Sequence, residues 1–361
     1  MKQLIEWGLL GIMVFALACG TSTPAETDAE ETTARVENTP EALLSAYTQQ
    51  IAQSPKDYSL WESRSQVYFE LDSLDQAIAD IDQAISLYPT GPELRYWRGF
   101  LAYVINDTAK AREELELATG LGTQNPEVFY QLGQIYFLQK RYDEAKAEYE
   151  QAAKLSIKDP TYQFALGFLE ESRRKHSKAV EYYLEALRID STFDKALLRL
   201  HDVYLTAYEN EAEAMKYNDQ LLRNQTLHPL GQYNQGSYHL RKALAVMSES
   251  GLPFFQEQVN EAVTAFTLTV NRDPNFVQAW YNRGYCYWLG DGKEEQAIQD
   301  FQTVVELDST QAQAHFMLGS IFEKNGDLAT AYTHYAAASR HQPESRDFRI
   351  AAEEVSQKIG R

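Results

Sequence analysis

The sequence predicts an all-α protein built from stacked helical hairpins, and three observations predict it. Ala77, Ala111, Ala145 and Ala179 recur every 34 residues, and Ala84, Ala118, Ala152 and Ala186 keep the same step. Gly99, Gly133 and Gly167 follow it too. Between these marks, apolar residues form paired helix-spaced stripes separated by short polar turns. A fixed period of this size belongs to architectures in which each unit covers its apolar face only by stacking on its neighbours.

Residues 126–159 show one unit. Val128, Phe129, Leu132, Ile135 and Tyr136 make the first stripe, and Ala145, Tyr149, Ala152 and Ala153 make the second after the turn Gln139 to Asp143. Asp159-Pro160 closes the unit, because a residue before proline is pushed out of the helical region. Each unit is therefore two antiparallel helices, A then B. Glycine inside helix A costs about 0.5–1 kcal/mol relative to alanine. Its recurrence at one register implies close approach, with the small residue of helix B at the Ala145 register pressed against it. A larger residue at either place is expected to overpack the crossing at a cost of about 1–3 kcal/mol.

This pattern resembles the tetratricopeptide repeat. Its signature residues stand as Phe129, Leu132, Gly133, Tyr136, Ala145, Tyr149 and Ala152, again as Trp280, Gly284, Tyr287, Ala297 and Phe301, and again as Leu318, Gly319, Phe322, Ala331, Tyr335, Ala338 and Pro343. The first repeat has Trp61, Tyr68, Ala77, Ile81, Ala84 and Pro89, with Ser65 in place of glycine. The resemblance implies a right-handed superhelical solenoid of about eight hairpins over 58–343, divided at about 58–91, 92–125, 126–159, 160–193, 194–228, 229–276, 277–311 and 312–343. His201 stands in the glycine register of the fifth repeat. The step from a helix B alanine to the next helix A small residue stays at 22, as in Ala145 to Gly167 and Ala297 to Gly319. All length variation falls at the A–B tips, where insertions meet only solvent.

The chain ends differ from the array. Residues 1–18 read as an export segment, with Lys2, an apolar run from Leu9 to Ala18 and small residues before Cys19. Ala16-Leu17-Ala18-Cys19 resembles the lipobox of bacterial lipoproteins, which makes Cys19 the lipidated residue and 19–39 an acidic, disordered tether. Thr39-Pro40 opens an N-terminal helix in 40–57. After Pro343, residues 344–361 form a capping helix with Phe348, Ala351, Ala352, Val355 and Ile359 toward the last repeat, and Glu353, Glu354 and Lys358 toward water.

Composition and motifs argue against several classes of function. A net charge of −19 disfavours nucleic acid. The basic run Arg173, Arg174, Lys175, His176 and Lys178 falls at an A–B turn and reads as solvated. Cys286 lies on an aromatic helix and reads as buried. The seven histidines lack zinc-enzyme spacing, and no phosphate-binding or nucleophile motif occurs. The expectation is a non-enzyme with no metal and no cofactor. Asp72-Ser73, Asp107-Thr108, Asp190-Ser191 and Asp308-Ser309 match a short O-glycosylation acceptor of Bacteroidota, but the same pairs are ordinary turn and cap residues.

Two features suggest binding. Helix A aromatics directed away from helix B are expected to line the concave groove: Tyr96, Phe100, Tyr103, Tyr130, Phe137, Phe164, Phe168, Tyr281, Tyr285 and Trp288, with Tyr233 and Phe316 in the same registers. Phe100, Phe168 and Tyr285 stand where the family usually has small or polar residues. Glu62, Tyr96, Tyr130 and Phe164 stand where a lysine of the family's carboxylate clamp would be. The sixth repeat exceeds the usual A–B spacing of 12 by 14 residues, so both of its helices are expected to be about two turns longer. Its apolar tip, Leu252, Phe254 and Phe255, is a candidate partner contact. The expected function is a protein-interaction scaffold or adaptor, lipid-anchored at the periplasmic face of the bacterial outer membrane, that binds an envelope protein or peptide. The alternative is a surface lipoprotein that holds a small ligand or glycan in the aromatic groove.

Overall fold

The computed structural model describes residues 39–246, 252–290 and 292–360. Eighteen α-helices and no strand occur among them, and no described helix is long and apolar enough to cross a membrane. The chain divides into two compact units, Met1–Asp80 and Ile81–Arg361.

In the first unit, Thr39 caps α1 (Pro40–Gln53), its hydroxyl accepting from the Ala42 N–H at 3.3 Å, and Pro40 needs no partner at the first turn. Asp57 caps α2 (Tyr58–Glu70) through the Ser59 N–H at 3.1 Å. The glycine register is filled by Ser65, whose buried hydroxyl donates to the Ala77 carbonyl at 2.7 Å on α3 (Leu74–Leu87). Arg64 grips Asp80 with two hydrogen bonds of 2.6 and 2.8 Å. Its guanidinium lies 5.0 Å from the Trp61 ring centre, and the Trp61 indole donates to the Pro55 carbonyl at 3.0 Å.

The second unit continues as hairpins α4 (Pro92–Val104) with α5 (Thr108–Gly120), α6 (Pro126–Leu138) with α7 (Tyr142–Leu155), α8 (Pro160–Ser172) with α9 (His176–Ile189) and α10 (Asp194–Thr206) with α11 (Glu211–Asn224). It ends with α12 (Pro229–Val246) and α13 (Leu252–Arg272), α14 (Val277–Leu289) and α15 (Glu294–Leu307), α16 (Ala312–Lys324) and α17 (Leu328–His341), and α18 (Arg346–Lys358). Each A helix packs on its own B helix, each B helix on the next A helix, and α18 on α17. Val355 is the buried residue of α18, and Glu353, Glu354 and Lys358 are exposed. This is a helical solenoid of antiparallel hairpins.

At four of the helix A glycines, what occupies the space above differs from the expectation, whereas at Gly99 the Ala111 carbonyl and Leu115 lie nearest, both at 3.2 Å. A β-carbon at Gly133 would lie 2.6 Å from the Tyr149 ring, and one at Gly167 would lie 2.6 Å from the Tyr183 ring. Phe266 at 2.7 Å plays the same part over Gly236, and Tyr335 at 2.7 Å over Gly319. The Ala145 carbonyl is further from Gly133, at 3.3 Å. The helix B alanine is only the floor of the crossing; the glycine makes room for an aromatic ring one turn later. His201 follows the same rule in reverse, because Asn218 replaces the ring and leaves space for a buried imidazole.

The A–B turns share a second constraint. Asp72, Asn106, Lys140, Arg174 and Glu209 all adopt positive φ between 50° and 63°, and Gly326 holds the equivalent place at 83°. At Lys140 the turn closes with the Arg141 N–H donating to the Tyr136 carbonyl at 2.9 Å. Nearby, the basic run is tied to acids: Arg173 reaches Asp143 at 3.0 Å, and Lys175 and Lys146 flank the buried Glu170 at 3.7 and 3.6 Å. Cys286 is buried, and that burial pushes its thiol up to about 12.

In the sixth hairpin, α13 has 21 residues against the usual 13 or 14, about two extra turns, whereas α12 has 18 and gains nearer one and a half. Residues 247–251 lie outside the described residues, as do the export segment, Cys19 and the tether.

The ring-over-glycine arrangement makes a definite prediction. Gly133→Ala should destabilise the protein by about 1–3 kcal/mol despite alanine's better helix propensity. In a Tyr149→Leu background the same change should cost at least about 1 kcal/mol less. Urea unfolding of the four proteins measures the coupling, and equal costs in both backgrounds would exclude the ring as the constraint.

Candidate functional site

The A helices of the second unit carry the aromatic residues singled out in the sequence, and packing divides them into three groups. Tyr96, Tyr103, Tyr130 and Phe137 are half-buried against the core formed by α5 to α8. Phe164 is held by Tyr183 and Phe193 at 5.5 and 5.7 Å, and Tyr281 by Phe301 at 5.5 Å. Phe168 and Trp288 are exposed, each with 37% of its surface in water. Phe168 extends the row from Phe137 at 5.6 Å and lies 5.7 Å from the Arg199 guanidinium; Trp288 stacks on the half-buried Tyr285 at 5.6 Å.

Phe100 corrects the sequence reading. It is 5% exposed and stacks on Trp97 at 5.1 Å, so it belongs to the interior and offers no surface. Its unusual size in that register is absorbed by packing. At the long hairpin, Phe254 is 43% exposed, whereas Phe255 packs against the core containing Leu240 and Val259. The side chain of Leu252 and the residue Cys19 lie outside the described residues.

The structure also assembles a cluster that sequence reasoning passed over. Glu127 sits in the first turn of α6 behind Pro126, where an acid reads as ordinary helix-dipole compensation. Its carboxylate accepts from the Gln131 amide at 3.3 Å, and the same amide nitrogen reaches the Tyr96 hydroxyl at 3.4 Å. Tyr130 and Tyr162 close the other side, ring against edge at 5.5 Å. The Gln131 Oε1 is buried without a hydrogen-bond partner among the described residues. Burial pushes the Glu127 carboxyl up to about 7; the Gln131 hydrogen bond opposes the rise and nearby Asp159 adds to it. Burial raises the Tyr96, Tyr130 and Tyr162 phenols further, helped in each case by the neighbouring Glu127 charge.

That environment sets a pH dependence. Between the ordinary 4.5 of the unfolded chain and about 7 in the fold, the native state binds the proton that the unfolded state has lost. Stability therefore falls as pH rises through this window. Glu127→Gln should be more stable than the parent at pH 8, by about 1–3 kcal/mol, and nearly equal to it at pH 4. Thermal melts at the two pH values decide this; an equal offset at both would rule out titration of Glu127 as the cause.

Models of the tetratricopeptide repeat family match residues 126–159 and residues 63–126, 254–312 and 289–346, together more than half of the chain. Hsp70-Hsp90 organizing protein 3 of Arabidopsis thaliana is 32% identical over 103 residues, a match that spans 28% of this chain and 18% of that protein. Among solved structures, the C-terminal part of a TPR repeat-containing protein from Cytophaga hutchinsonii matches with a TM-score of 0.52 at 15% identity, covering 71% of this chain and 98% of that one. A tetratricopeptide repeat protein from Parabacteroides merdae matches with a TM-score of 0.47 at 16% identity, covering 73% and 98%. At 15% identity the Cytophaga match speaks to fold alone. With its period, its hairpins and its ring-over-glycine crossings, the chain belongs to the tetratricopeptide repeat family.

Proposed function

We propose that this protein is an interaction scaffold of the bacterial cell envelope, tethered to a membrane through a lipid on Cys19 and binding a protein or peptide along the A-helix face of its second unit. One observation carries the binding half of this reading: large aromatic rings on A helices, Phe168 and Trp288, remain exposed beside the half-buried Phe137 and Tyr285. Burying such rings on a partner releases apolar surface from water and costs little side-chain entropy, so they serve as anchors. The tetratricopeptide family assignment supports a scaffold in general terms. The carboxylate-clamp lysines are missing, with Tyr96, Tyr130 and Phe164 at those positions, so the partner is not read through a terminal carboxylate. The anchoring half rests on the Ala16 to Cys19 sequence and the acidic segment after it; the outer membrane, periplasmic side, is the location we favour.

Phe168→Ala and Trp288→Ala should each reduce capture of envelope proteins by the purified chain several-fold while leaving its helical circular dichroism unchanged. Capture that is equal to the parent's for both variants would remove the aromatic face from consideration. Independently, Cys19→Ser should move the protein from the membrane fraction to the soluble fraction without loss of helicity. A variant that still floats with membranes would refute lipidation at that residue.

A further inference from the structure

The Glu127 cluster is built in a way that packing does not require. Five side chains on three successive A helices converge there: Tyr96 on α4, Glu127 with Gln131 and Tyr130 on α6, and Tyr162 on α8. The titratable groups around the carboxylate are acids and phenols: Asp159, which precedes α8, raises it, the Tyr96, Tyr130 and Tyr162 phenols feel its charge, and Glu93 on α4, which acts on Tyr96, is engaged by Thr123 and Asn125 at 3.0 and 3.2 Å. No lysine, arginine or histidine pairs with Glu127 among the described residues, although buried acids elsewhere in the chain are paired, Asp300 with Arg283 at 2.8 Å and Glu114 with Arg95 at 3.0 Å. Beside it the Gln131 carbonyl oxygen has no donor. The site therefore has an anionic acceptor with no cation and a neutral acceptor with no donor, bordered by the Tyr96 hydroxyl and by the Tyr130 and Tyr162 rings, and an aromatic ring attracts positive charge.

We propose that Glu127, Gln131, Tyr96, Tyr130 and Tyr162 form a receptor for a single protonated side chain, a lysine ammonium or arginine guanidinium, presented by a bound peptide. The proposal rests on the reading that the A-helix face binds peptide and specifies what one subsite of it recognises. The cation donates to the Glu127 carboxylate and to the Gln131 Oε1, and the tyrosine rings exclude water from the pair. Both hydrogen bonds are charge-assisted, and the cation–π contacts gain from desolvation. The carboxylate that weakens the empty protein becomes the group that holds the ligand.

The binding equilibrium carries a signature that general attraction to an acidic protein does not. Only ionised Glu127 pairs with the cation, so affinity rises with pH through about 7 and levels off above it. Near pH 7 the partly protonated carboxyl must lose its proton as the cation enters, so binding releases a fraction of a proton.

The test uses N-acetyl-arginine N-methylamide and N-acetyl-lysine N-methylamide as probes, with N-acetyl-norleucine N-methylamide as the uncharged control. Each is titrated into the purified chain by calorimetry in high salt, which screens the diffuse field. At least one cationic probe should bind about tenfold or more tightly than norleucine, release protons near pH 7 in buffers of different ionisation enthalpy, and lose that advantage in Glu127→Gln. Tyr96→Leu should weaken the same probe several-fold at unchanged helicity. Equal binding of the norleucine probe, unchanged affinity in Glu127→Gln, or no binding of either cationic probe up to its solubility limit would overturn the proposal. Capture of an envelope partner that depends on Phe168 and Trp288 but not on Glu127 would leave the scaffold reading standing and remove only this subsite.

Discussion

Four of the hairpins depend on a crossing where helix A gives up a side chain so that a ring from helix B can lie across it. At Gly133, Gly167 and Gly319 a tyrosine fills the space, and at Gly236 a phenylalanine. The glycine weakens its own helix, and the ring returns more than that loss because aromatic burial contributes several times the propensity difference. The tyrosines retain a polar edge that finds its own partner: the Tyr183 hydroxyl donates to Glu171 at 2.6 Å and the Tyr335 hydroxyl to Glu323 at 3.0 Å. A crossing of this kind sets the distance between the two helices, and the distance sets what the A-helix face can present.

Where the crossing changes, polar chemistry replaces it. In the first repeat the Ser65 hydroxyl bonds the facing carbonyl. In the fifth, His201 and Asn218 are both buried, and Asn234 bridges them at 3.4 and 3.2 Å. The first and seventh repeats share a further device. Arg64 and Arg283 each bind an aspartate through two hydrogen bonds, touch a threonine at 3.2 Å and lie over a tryptophan whose indole donates to a proline carbonyl. Buried Asp300 tolerates its position because of that arginine; desolvation alone pushes its carboxyl up, and the Arg283 contacts oppose the rise. Removing either member would strand the other, which is the usual vulnerability of a buried pair.

Glu127 is the exception that gives this comparison its use. A half-buried carboxylate without a cation lowers the stability of the folded state at neutral pH, whereas the buried Glu114 and Asp300 are each paired with an arginine. In the subsite proposed above, the incoming cation supplies the partner that the fold does not. The exposed rings of Phe168 and Trp288 follow the same logic, since both present surface that the fold itself does not cover.

The repeat, the hairpins and the small-residue register were legible in the sequence because they are local: period, helical spacing and turn residues act within a few tens of residues. The long sixth hairpin was legible for the same reason, as an excess of helix-patterned chain. Three things needed the tertiary structure. Phe100 carries the same aromatic signal as Phe168, yet one is buried on Trp97 and the other is open to water, because the neighbouring helix covers one register and not the other. The ring over Gly133, Gly167, Gly236 and Gly319 lies a full turn beyond the alanine that marks the register, and only the crossing geometry brings it there. Glu127 reads as a common helix-start acid until α4 and α8 place tyrosines around it. Composition and period report what each helix buries against its nearest partner; the environment of a charge is set by groups some thirty residues away in either direction, and no local pattern encodes it.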